Sequence, residues 1–239
     1  MAKLHDDWRV FPHGPVEKID EGILSIEGEI HMPLGRFPRR MTVVRLADGR
    51  TVIFSPIALL EAAMRQIEQL GRPAFMVVPN GFHRLDARPW KKRYPDLKVI
   101  CPPGAKPRVE AAVNVDATTD VFGDDVVRFL IADGTGEAES ALMVRRAAGA
   151  TLVLNDIMSN VRHPKGFGAN IMARLFGFGV NGPQMAREVK WLLVKDKPAL
   201  AAQLRSWAAD PTLARIIVSH GEVIEQPAAA LEQVAKQLS

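Results

Sequence analysis

Three titratable side chains stand out because each falls just past a short apolar run: His83 after Ala74 to Val78, Asp156 after Thr151 to Leu154, and His220 after Ala214 to Val218. Apolar runs of this length, closed by turn residues such as Pro79-Asn80-Gly81, read as buried strands. In layered α/β folds chemistry collects at the carboxyl ends of strands, so the three groups can meet on one rim. A His, a carboxylate and a second His make a ligand set for a single zinc or iron ion, because catalytic zinc takes three protein ligands and keeps one position for water. Asp86 and His163 lie in loops that follow two of these strands, and so join the candidates as a base and a further ligand.

Each group also has a plainer reading. A strand-end His often serves structure through hydrogen bonds, and an Asp there can cap the following turn. Between His83 and Tyr94 run five cations, Arg84, Arg88, Lys91, Lys92 and Arg93, with Trp90 among them. They form either a solvated helix face or an anion-binding patch. On the second reading Asn80, Arg84, Trp90 and Lys91 are the expected ligand contacts.

The elements that position these groups follow from periodicity. Gly22 to Ile30, Met41 to Leu46 and Thr51 to Phe54 read as opening antiparallel strands, the last two joined around Asp48-Gly49. Ser55-Pro56 signals a helix start, Ile57, Leu60, Met64 and Ile67 give it an apolar face, and Gly71 stands as its C′ residue. A strand from Leu97 to Cys101 follows the basic loop. Residues 106–120 suit a short helix or a strand. Val126 to Ile131 and Ala141 to Val144 are strand-like, and 159–182 suits a long loop with one short helix. Helices are expected over 183–194, after an Asp196 cap, and from Pro227 onward, while residues 1–20 read as an irregular arm.

With 239 residues, 47% hydrophobic and 24% charged, the chain suits one soluble globular domain spanning 1–239. A net charge of +4 without a stacking series of aromatics gives no case for a nucleic-acid partner. No run approaches the ~20 apolar residues of a spanning helix, and the first residues lack a secretory h-region, so the expectation is a cytoplasmic protein with no membrane partner. The sequence sets no oligomeric state. Cys101 is the only cysteine, which excludes a disulfide framework, and its apolar run marks it as a packed, inert thiol.

The order of elements, the phrase MTVVRLADGRTVIFSPIAL, the turn Pro79-Asn80 with His83, Trp90 with Tyr94-Pro95, LVLND ending at Asp156 and IIVSHG around His220 together resemble the metallo-β-lactamase-like hydrolases. The resemblance implies a mixed α/β, four-layer αββα sandwich and, for a member with its full signature, two metals held by HxHxDH and later ligands. Here the matching positions are Asn80, Phe82, Arg84 and Leu85, none of which supplies that chemistry, and no His occurs near Gly136. The resemblance therefore implies a non-catalytic or weakly active descendant that binds a small anionic ligand or a partner, with Arg84 paired to Asp156 in place of a metal. The alternative is a single-metal hydrolase of an ester, thioester or amide using His83, Asp156 and His220.

Overall fold

The structure, a computed structural model, describes residues 4–32, 35–164 and 167–238. Among these residues, one sheet runs β1 (Glu17–Asp20), β2 (Ile23–Met32), β3 (Gly35–Arg45) and β4 (Arg50–Phe54) antiparallel, then adds β5 (Arg72–Val77) and β6 (Lys98–Ile100) parallel. A second sheet pairs β7 (Val127–Ile131), β8 (Ser140–Arg146) and β9 (Gly149–Leu154) antiparallel, with β10 (Leu213–Val218) parallel to β9. Helices α1 (Glu61–Leu70) and α2 (Ala87–Arg93) make the crossovers of the first sheet, and α3 (Lys106–Glu110) follows β6. Between β9 and β10 lie α4 (Phe167–Phe176), α5 (Arg187–Leu192) and α6 (Lys197–Ala208), and α7 (Pro227–Lys236) closes the chain.

Side-chain alternation divides the core into three layers. Phe75 and Val77 of β5 meet Val144, Val153 and Ile217 between the two sheets. Met76 points the other way, to Met64 and Ile67 of α1 and Trp90 of α2. On the second sheet, Leu152 and Leu154 pack outward against Val189 of α5, Leu204 of α6 and Leu231 of α7. The layers therefore run helix, sheet, sheet, helix, the αββα order expected. Because the central strands are covered on both faces, they read in sequence as unbroken apolar runs, not as alternating ones.

Several local expectations are corrected. The helix expected from Pro56 begins at Glu61, because Pro56 to Leu60 is held out of helical form by outside partners. Trp90 Nε1 donates to Ile57 O, Trp8 Nε1 donates to Leu59 O, and the Leu60 amide donates to His13 Nε2. Ser55 caps nothing and lies in the left-handed region at φ 57°. Gly71 is extended at φ 168°, and an added Cβ would stand 2.3 Å from Gly49 O, so the glycine is required by close approach. The arm's first three residues lie outside the described residues; its last four form β1, and its middle packs on α2 through Trp8 and Trp90, 5.4 Å between centroids. Asp196 accepts from the Ala199 amide as the cap of α6.

Cys101 is buried against the helices of the first sheet, and burial pushes its thiol up to about 12. A thiolate-selective reagent should leave the native protein unlabelled at neutral pH and react once denaturant is added; rapid native labelling would contradict the packing described.

Candidate metal site

The carboxyl ends of β5, β9 and β10 open on one rim, and the turns leaving them bring three donor atoms together. His83 Nε2 lies 3.1 Å from Asp156 Oδ1, His220 Nε2 lies 3.2 Å from the same oxygen, and the two ring nitrogens are 3.2 Å apart. Among the described residues this is the group of His and carboxylate side chains close enough to share an ion. A tetrahedral zinc with ligand bonds of ~2.0–2.1 Å has ligand-to-ligand edges of roughly 3.4 Å, so this nearly equilateral triangle fits one face of such a site.

The protonation pattern fits as well. His220 Nδ1 is 2.7 Å from Pro38 O, and a carbonyl only accepts, so Nδ1 carries a hydrogen and neutral His220 turns a lone pair from Nε2 toward the other two donors. His83 Nδ1 is 2.9 Å from Ser55 Oγ, so the left-handed backbone of Ser55 sets the ring's orientation. Asp156 is fixed by Asn80, whose Nδ2 donates to Asp156 Oδ2 at 2.6 Å and to Glu139 Oε2 at 2.8 Å. Asn80 Oδ1 accepts from the amides of Phe82 and His83, which shapes the turn that delivers His83. Glu139 Oε1 in turn accepts from the Asp156 amide.

Charge separates the two buried carboxyls. Burial works against ionisation of Asp156, but His83 and His220 outweigh it and hold its carboxyl well below the usual range. Burial, with Asp156 beside it, pushes Glu139 well above that range. His220 is raised: burial opposes its charged form, and the bond and charge of Asp156 with the Pro38 carbonyl more than offset that.

No protein-family model and no curated protein matches the chain. Its backbone is similar to the solved DIM-1 metallo-β-lactamase exposed to ceftazidime, with a TM-score of 0.65 and 13% identity over 97% of this chain and 100% of that one. TMB-1, solved to examine residues that act in substrate and inhibitor binding, gives 0.61 and 12% over 93% and 96%. The chain has the metallo-β-lactamase fold.

Within this metallo-β-lactamase fold, the three groups sit at the floor of a cavity of about 420 Å³ with mostly apolar walls, among them Phe37, Phe82, Phe178 and Leu193. Other expected residues lie elsewhere. Asp86 is fully buried and accepts from His5 and Arg39, so it is no free base. Trp90 is in the core, not at a ligand surface. Lys91 Nζ donates to Leu97 O, and Arg88 and Arg93 pair with Asp6 and Glu61 from distant segments. Arg84 lines the cavity but donates to Gly81 O and Arg108 O, so the expected Arg84 to Asp156 pair is not formed. Asn80 has its amide fully engaged and positions Asp156 instead of a ligand. His163 faces Glu222 at 2.5 Å on the surface, away from the triangle.

Four cavity or network residues were not read as such from the sequence. Ser55 read as a helix cap, and Glu139 stood in a turn-rich stretch. Glu188 lines the cavity with a buried, unpartnered Oε2, and burial, with Asp156 adding to it, raises its carboxyl. Arg39 gives one nitrogen to Asp86, while Nε and Nη2 stay buried without partners.

Two substitutions separate positioning from stability. If the triangle takes zinc, Asn80→Ala should weaken that binding about 10- to 100-fold in a calorimetric titration, since Asp156 loses its orienting donor. Asp86→Ala should instead destabilise the fold by roughly 3–5 kcal/mol in denaturant unfolding, because it strands the Arg39 guanidinium, with zinc affinity kept.

Proposed function

We propose that the chain is a hydrolase using one metal ion held by His83, Asp156 and His220, acting on an ester, thioester or amide with an apolar portion. The observation that carries this is the triangle of donor atoms, 3.1–3.2 Å on each side, at the floor of an apolar cavity. A zinc or iron ion bound there supplies Lewis acidity that acidifies water and polarises a carbonyl.

The chain's own residues do the rest. Pro38 O and Ser55 Oγ keep the imidazoles turned inward, and Asn80 keeps Asp156 in line. Glu188, half-buried on the cavity wall, accepts or returns the proton that hydrolysis moves, the role earlier expected of Asp86. Arg39 lines the cavity beside Asp86, and its guanidinium adds positive charge to that wall, so a small anionic molecule remains the expected ligand class. Apolar walls exclude water and hold the substrate's carbon skeleton.

Metal-free protein offered zinc should bind close to one equivalent by elemental analysis, and His220→Ala should empty the site; a protein that takes up neither zinc, iron nor manganese removes the proposal. The pH response has a sign. The raised pKa of His220 gives metal-free protein a stability contribution that is full below the unfolded imidazole's value and is lost as pH rises through the folded one. Zinc affinity should strengthen over the same rise, because Nε2 must shed its proton to bind, and melting curves with and without chelator will read both trends. With p-nitrophenyl esters of short fatty acids as probes, Glu188→Gln should lower kcat by about 10²- to 10⁴-fold and leave zinc content unchanged.

A further inference from the structure

Three of the four most exposed large apolar side chains described lie on two neighbouring helices: Trp191 at 87% and Leu192 at 58% on α5, and Leu175 at 57% on α4. The same stretch is cationic. Between residues 159 and 195 the sequence holds six Lys and Arg against one carboxylate, Glu188, although the whole chain nets only +4. Arg174, Arg187 and Lys190 line a groove of about 440 Å³ between the helices. None of the three has a carboxylate partner among the described residues: Arg174 donates to Asn170 Oδ1 and Lys190 to Gln237 O. Some cations elsewhere are matched, as Arg93 is by Glu61 and Arg215 by Asp20, so what sets this stretch apart is its local excess of positive charge beside exposed apolar groups.

We propose that the face formed by α4 and α5 docks on an anionic lipid bilayer. Exposed indole and leucyl groups beside unpaired cations suit an interfacial position, with the apolar groups entering the acyl boundary and the cations meeting lipid phosphates. A second copy of the same face is disfavoured, since a two-fold contact would set cation against cation. The expectation of no membrane partner rested on spanning length; no described helix is long and apolar enough to cross a membrane, which leaves surface docking open. Leu192 also lines the cavity above the candidate metal site, so docking would turn that mouth toward the lipid.

Sedimentation with vesicles of phosphatidylcholine alone, or mixed with phosphatidylglycerol, tests this, with light scattering to read the oligomeric state. Expected is binding to the mixed vesicles only, weakened by salt, with a blue shift of tryptophan emission that Trp191→Ala abolishes. Replacing Arg187 and Lys190 together by Gln should weaken binding by roughly 25-fold, about fivefold for each cation removed, at an unchanged melting temperature. Absence of binding at low salt, equal binding to neutral vesicles, or a dimer that Trp191→Ala dissociates would each overturn the proposal. The readout needs neither metal nor substrate, so it stands or falls apart from the hydrolase reading.

Discussion

A carboxylate that is 8% exposed must find positive partners or surrender its charge, and the rim of this molecule is organised by how Asp156 meets that demand. One oxygen faces two imidazoles and the other takes an amide hydrogen from Asn80. Glu139 is adjacent and fully buried, and burial together with the neighbouring charge of Asp156 pushes its carboxyl well above the usual range, opposite to Asp156. Asn80 makes this division workable, because one amide group serves both carboxyls. The network also joins the two sheets: Asn80 leaves β5, Glu139 precedes β8 and Asp156 follows β9. Losing any one member leaves a buried polar group without its complement, which is why the arrangement is rigid.

The site was legible where strands were. Apolar runs covered on both faces are conspicuous in sequence, and His83, Asp156 and His220 are the polar residues at their ends. Residues that act through distant partners were not legible. Arg39 and Asp86 are 47 positions apart, so their buried pairing could not be read from local pattern. Trp90, set among lysines and arginines, looked like an exposed ligand contact. In the fold those cations reach Asp6, Glu61 and Asp116, while the indole turns inward to Ile57 O. Periodicity also overran the start of α1, since nothing local reveals that two tryptophans and a histidine will claim the backbone of Ile57, Leu59 and Leu60.

The amino-terminal arm completes this side of the molecule. His5 donates to Asp86, Trp8 packs on Trp90, and His13 receives the Leu60 amide, so two histidines without evident chemistry in the sequence finish the hydrogen bonding of α2 and the approach to α1. Asp86 is thereby committed to structure. Any proton transfer near the triangle then falls to another carboxyl, and Glu188 is the one that lines the cavity without a full set of partners.

An apolar cavity changes what a single metal ion can accomplish. With Phe37, Phe82 and Phe178 in its walls, charges at the floor sit in less polar surroundings, and each fixed donor has more effect than it would in bulk solvent. Arg39 illustrates the consequence: with Nε and Nη2 buried and unpartnered, its guanidinium depends on the bond to Asp86 more than an exposed one would. The same walls disfavour small, strongly hydrated substrates, because nothing polar on the aromatic side replaces their water. On the proposed reading, a substrate with a carbon skeleton for the walls and an acyl bond for the floor meets both surfaces at once.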